Sequence, residues 1–331
     1  MMLNPLGALG LTLPLLAGAP PDVPTVVAAN NEFALDLYHQ LGGLDGNLFF
    51  SPYSINKTLA MAYAGARGDT AREMAAVLHF NLGPDRQHRA FREARRFLSN
   101  HGGVLPGRHG VQLSLAASLW GQRGYGFQQS FQDLLRECYG AALQEADFAN
   151  PEPARETINA WVDKQTNHKI PELFQPGTID LSTRLVLASA IYFKGDWAHP
   201  FKKGGTHDAP FWSSASAKAQ VPTMSQTETF GYFEEEQSQG LLMPYQGKEL
   251  ALVVLLPKKV EGLADLEKAL TAEKLAGWVG RLHEQKVEVA LPKFKLTGGF
   301  ALDGALTALG MRKAFRGGEA DFSGMNDGRE P

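Results

Sequence analysis

The sequence predicts one large domain of mixed helix and strand, and three observations carry that reading. The chain has 331 residues, 44% of them hydrophobic, enough to bury a sizeable core. From Pro24 onward, stretches with helical periodicity alternate with strand-like apolar runs. No fixed-period repeat and no low-complexity linker divides the chain.

Residues 1–23 read as a leader. The apolar run Leu6–Leu16 (LGALGLTLPLL) precedes Ala17-Gly18-Ala19, a small-residue pattern suited to signal-peptide cleavage, but no basic residue precedes the run. A cleaved signal would make the protein secreted; a disordered leader would leave it cytoplasmic. The run is shorter than the ~20 apolar residues that span a bilayer, and no membrane association is expected.

Val27 to Leu41 places Phe33, Leu37 and Leu41 on one face of a helix. Leu48-Phe49-Phe50 predicts a short buried strand. Ser51-Pro52 then opens a helix, with serine as N-cap and proline at the first position, where its missing N–H is not needed. Ile55, Leu59 and Tyr63 supply its apolar stripe. Gly65 and Gly68 mark a turn, and Thr70-Ala-Arg-Glu73 reads as a capping box for the next helix. Val111–Gly121 and Arg184–Phe193 predict strands, with helical segments at 127–138 and 153–169 between them. Leu250–Pro257 (LALVVLLP) predicts a strand buried on both faces.

Several function classes are excluded or weakened. With 32 basic and 35 acidic residues the net charge is −3, which is unlike a globally basic nucleic-acid binder. A single cysteine, Cys138, rules out an internal disulfide framework. There is no nucleophile elbow, phosphate loop, HExxH or CxxC, and the nine histidines show no metal-ligand spacing. Gly121–Gly126 (GQRGYG) is read as a turn. Neither an enzyme, a cofactor nor a metal is expected.

Five blocks carry a positive signal: NLFFSPYSI (47–55), YAGARGDTAREM (63–74), AIYFKGDWAHPF (190–201), VPTMSQTETFGYF (221–233) and EADFSGM (319–325). In this order they resemble the serpins, strand-inserting protease inhibitors, over about Pro24 to the last residue. The resemblance implies an α+β fold of three sheets and eight or nine helices, and an exposed bait loop near the C-terminus. A serine or cysteine protease cleaves that loop, which then enters the largest sheet as a new strand. The resemblance also implies a monomer. In the family a last central strand, the bait loop and the closing barrel strands follow the EADFSGM block, so residues 24–331 read as an incomplete serpin domain, inactive by itself. The alternative is a non-inhibitory binding or carrier protein of the same fold.

On this resemblance Ser51 and Ser54 match the "shutter" serines beneath the opening sheet, where hydroxyls can exchange partners as strands part. The plain reading, an N-cap and a first-turn serine, is compatible with it. Ser189 stands where the family usually has asparagine, which implies a smaller network or one containing water. Trp197 matches the tryptophan at the entry point of the loop, although core packing would also explain it, and Lys194 is expected to face the same place. Separately, Arg89, Arg92, Arg95 and Arg96, joined by His88, form one face of a helix opposite Ala90, Phe91, Ala94, Phe97 and Leu98. Arg89, Arg92 and Arg96 are candidates for a sulphated polysaccharide; the alternative is an ordinary solvated face.

Overall fold

A computed structural model describes residues 18–43, 46–101, 111–296 and 301–326. The leader run Leu6–Leu16 therefore lies outside the described residues. The helices are α1 (Val23–Leu41), α2 (Pro52–Tyr63), α3 (Gly68–Val77), α4 (Pro84–His101), α5 (Gln129–Leu134), α6 (Pro151–Gln165), α7 (Leu263–Ala269), α8 (Ala272–Gly280) and α9 (Asp303–Leu309). The strands are β1 (Val111–Gln122), β2 (Leu143–Ala146), β3 (Leu185–Gly195), β4 (Thr206–Trp212), β5 (Lys218–Glu234), β6 (Ser238–Pro244), β7 (Ala251–Pro257) and β8 (His283–Pro292).

The smaller sheet has the order β2-β1-β3; β1 pairs parallel with β2 and antiparallel with β3, with Ala117 opposite Ser189. In the larger sheet β5 is long enough to serve two groups. Its first half pairs with β4, its last residues with β6, and β8 runs along its middle. The second and third sheets of the expected fold are thus joined through one strand.

The small sheet is covered on both faces. Val186, Ala188 and Ala190 of β3 join Trp120 of β1 in packing against Ile158 and Val162 of α6. Leu185 and Leu187, on the alternate face, pack on the main core with Met61 of α2, Phe33 and Leu37 of α1, and Phe91 of α4. The period-2 alternation of a strand makes this two-sided burial possible. Asn159 and Arg155 of α6 tie the following loop down. Asn159 Oδ1 accepts from the Leu173 and Phe174 amides, and both side chains donate to the Phe174 carbonyl.

Four expectations need correction. Leu48–Phe50 is not part of a strand: Leu48 and Phe50 pack against the core, but Phe49 is 48% exposed. β7 is half-buried along most of its length, and among the described strands it has only β6 beside it. Ile55 and Leu59 are only partly buried, whereas Ser54, Asn56, Lys57 and Thr58 are buried, so α2 is enclosed on nearly all sides rather than along one stripe. The capping box at Thr70 does not form. α3 starts at Gly68, in left-handed backbone (φ 54°), without a side-chain cap. Thr70 Oγ1 instead accepts from the Asp321 amide, and Glu73 accepts from the amides of Arg312 and Lys313. The Thr70–Asp321 bond, with Met325 filling the space beside Gly65, docks the EADFSGM block onto the YAGARGDTAREM block, and Glu73 holds the turn at Arg312–Lys313 beside it. In the Gly121–Gly126 stretch, Gly121 and Gln122 end β1 and the turn expected there is formed by Arg123–Gly126, with Gly124 and Gly126 at positive φ.

Candidate functional site

The serines of the opening block sit at the start of a helix that passes under the small sheet. Ser51 takes the extended backbone of an N-cap, and its Oγ accepts from the Ser54 amide at 3.3 Å, with Pro52 in the first turn. Ser54 is 8% exposed. Ser51 Oγ is taken up as a cap, and among the described residues no histidine bonds to either serine.

Ser189 lies on β3 between Ala188 and Ala190, which face α6, so its side chain is on the α2 face of the sheet. Its Oγ is buried and, among the described residues, has no hydrogen-bond partner. Asn56 of α2 is 1% exposed with both amide atoms in the same state, and so is Thr58 Oγ1. Buried polar atoms are nearly always paired, because an unsatisfied one costs about 1–3 kcal/mol. Ser189 on β3 and Asn56 and Thr58 on α2 are three such cases among the described residues. Asn56 and Thr58 escaped the sequence reading. The available signal was the six-residue apolar run Leu59–Ala64, which leaves the last turns of α2 no polar face and so points to its polar residues lying inside.

Among the described strands β3 is at the sheet edge, with β1 on one side only. An edge presents a row of backbone N–H and C=O groups to which another strand can add. An aromatic group lies beyond its far end. Trp197 stacks on Tyr245 (centroids 4.5 Å apart, planes at 10°) and forms a bridge to it, while Phe193 meets the same Tyr245 edge-on at 4.9 Å. Gly195 is required there, because a Cβ would lie 2.6 Å from Tyr245 Cδ1. This aromatic group links the two sheets, supported by backbone bonds from Ala198 to Pro244 and from Gln246 to Asp196. Burial pushes the Tyr245 hydroxyl upward in pKa. Tyr245 was not singled out from the sequence, where it is one aromatic at the start of a turn. Lys194 is exposed at this end of β3.

The basic helix is less uniform than its sequence suggests. Ala90, Phe91, Ala94, Phe97 and Leu98 are buried, as expected, and Arg89 and Arg96 are exposed. Arg92 and Arg95 are half-buried, each with its Nε enclosed. His88 does not belong to the cationic face. It is 3% exposed, hydrogen-bonded through Nδ1 to the Tyr139 hydroxyl at 2.5 Å, and pushed down to about 4 mainly by burial. A buried imidazole loses its charge because hydration no longer supports it. Among the described residues no group of histidine, cysteine and acidic side chains could hold a metal, and no helix is long and apolar enough to cross a membrane.

The chain matches a family model described as serpin (serine protease inhibitor) over residues 28–331. It is 41% identical to a horse leukocyte elastase inhibitor, covering 91% of this chain and 81% of that protein. Human serpin B4 is 37% identical, with 90% and 80% covered. Among solved structures, emu ovalbumin superposes with a TM-score of 0.85 at 32% identity, covering 92% of this chain and 82% of that one. Reaction-loop-cleaved lamprey angiotensinogen gives 0.81 at 29% identity, covering 92% and 89%. The family match over residues 28–331 and these similarities agree: the chain belongs to the serpin family.

Proposed function

We infer that the protein inhibits serine proteases, and cysteine proteases by the same route, through cleavage of a bait loop and its addition as a strand beside β3. The observation that carries this reading is the serpin (serine protease inhibitor) family match over residues 28–331 together with relatives named as leukocyte elastase inhibitors. The protease supplies the nucleophile. Its serine or cysteine attacks the scissile carbonyl, the new amine leaves, and the acyl-enzyme ester or thioester is carried away with the inserting strand before water can hydrolyse it. Insertion is driven by ladder hydrogen bonds and by burial of alternate side chains. In this reading the chain is an inhibitor and not an enzyme.

The relatives named for leukocyte elastase make an elastase the first protease to try. With a bait loop present, the protein should form a one-to-one complex with an elastase that survives denaturing electrophoresis. Degradation without a complex across a panel of serine and cysteine proteases would overturn the assignment. Export is a separate part of the proposal, supported by the run Leu6–Leu16 and the Ala17-Gly18-Ala19 pattern. N-terminal sequencing of protein recovered from the medium tests it, and an intact Met1 found only inside cells overturns it. Polysaccharide binding by Arg89, Arg92 and Arg96 is also separate. Glutamine at all three should lower the salt needed for elution from a sulphated matrix, and unchanged elution refutes it.

A further inference from the structure

Five aromatic side chains close a circuit between α2, α4 and the π-helical turn Leu135–Tyr139 that follows α5. Tyr63 ends α2, Phe80 precedes α4, His88 and Phe91 belong to α4, and Tyr139 ends the turn. Ring centroids are 5.4 Å apart for Tyr63–Phe80, 5.7 Å for Phe80–Phe91 and 5.5 Å for Phe91–Tyr139. Tyr139–His88 at 5.8 Å and His88–Tyr63 at 5.7 Å complete it. π-Helical turns are rare and recur at functional sites. This one is anchored by Tyr139, 1% exposed, and encloses Cys138, 6% exposed.

The Tyr139 hydroxyl has one proton and two acceptors within reach, His88 Nδ1 at 2.5 Å and the Ala60 carbonyl at 3.3 Å. The shorter contact takes the proton, so Nδ1 accepts and the neutral ring carries its hydrogen on Nε2. A second proton on the ring turns Nδ1 into a donor. The Tyr139 oxygen must then accept, and its own proton is left with the more distant Ala60 carbonyl, which already accepts from the Ala64 amide at 3.2 Å. The charged ring also lacks hydration. Asp85 on α4 favours the added proton, and Arg67 in the α2–α3 connection opposes it. The titratable groups facing it from α2 and from the turn are Tyr63 and Tyr139, both held uncharged by burial. We propose that His88 and Tyr139 form a proton-operated latch: the neutral ring holds the Leu135–Tyr139 turn against α2 and α4, and the protonated ring releases it while the rest of the chain stays folded. Release lets the ring reach water and uncovers Cys138. The latched ring is pushed down to about 4 from 6.5, so the released form binds the proton first and acid favours release.

Cys138, the single cysteine of the chain, reads the latch. Its rate of reaction with dithiodipyridine, a thiol reagent active in acid, is divided at each pH by the rate for the urea-denatured chain, which removes the pH dependence of the thiol itself. The protection so measured should fall by roughly fiftyfold between pH 7.5 and pH 4.5 and stay nearly constant in His88→Gln. Sub-denaturing urea should hardly change the rate at pH 4.5, because a released turn exposes little surface. Constant protection in the parent chain, an equal fall in His88→Gln, or a rate that climbs with urea as steeply as global unfolding overturns the proposal. If His88→Gln does not fold, hydrogen exchange of the parent chain decides. Amides of the Leu135–Tyr139 turn should lose protection in acid while those of β5 keep theirs, and a uniform change refutes the latch.

Discussion

Acid should destabilise this protein through His88 before its carboxylates titrate. The ring is 3% exposed and hydrogen-bonded to Tyr139, whose hydroxyl also reaches the Ala60 carbonyl of α2 at 3.3 Å, so it joins α4, the Leu135–Tyr139 turn and α2. Burial is the main cause of its depressed pKa, about 4 against the ordinary 6.5; Arg67 adds to the depression and Asp85 opposes it. Because the folded value lies below the unfolded one, the unfolded chain takes up the proton first. The stabilisation is complete above about pH 6.5 and is lost as pH falls toward 4. A difference of roughly 2.5 units corresponds to about 3 kcal/mol, a large share of the ~5–15 kcal/mol by which domains are stable. Urea unfolding between pH 8 and pH 4 measures it, with His88→Gln as the comparison, because glutamine keeps a polar atom for Tyr139 and cannot titrate. The stability of the parent chain minus that of the variant should fall by about 3 kcal/mol over this range. A difference independent of pH would show that His88 does not titrate in this window, whatever the variant costs at neutral pH.

Three further outcomes are expected. Ser189→Asn places an amide beside the unpartnered seam atoms and should raise the thermal midpoint by an amount equivalent to about 1–2 kcal/mol; an unchanged midpoint with an unchanged inhibition rate removes Ser189 from the network. Gly195→Ala drives a methyl into Tyr245 and Phe193 and should cost ~1–3 kcal/mol, with a change in near-UV circular dichroism from the Trp197–Tyr245 stack; an unaltered spectrum refutes that packing. Asn159→Ala orphans the Leu173 and Phe174 amides and should cost about 2–4 kcal/mol in denaturant unfolding, and a loss below half of that would mean water replaces the amide.

Much of the architecture was legible because the residues concerned act locally. An N-cap needs only its own backbone and the next three residues, so Ser51-Pro52 could be placed without knowing what surrounds the helix. The strands β1 and β3 were long apolar runs whose type survives any partner. Thr70 and Glu73 show where local reasoning stops. The two side chains have the spacing of a capping box, yet backbone amides roughly 240–250 residues later compete for the same oxygens and win. The turn around Gly65 and the EADFSGM block each look incomplete alone, and only the docked pair shows why both are there.

The polar interior of α2 was illegible for a different reason. A periodic pattern reports contrast between two faces, and it selected Ile55, Leu59 and Tyr63 because polar residues separate them. In a helix enclosed on nearly all sides that contrast no longer says which face is inside, and the polar residues turn out to be the more deeply buried ones. Burying Ser54, Asn56, Lys57 and Thr58 in one helix opposes stability, since each gives up water and some find no partner. An apolar α2 would pack the same space more favourably, but it would give an arriving strand nothing to exchange bonds with.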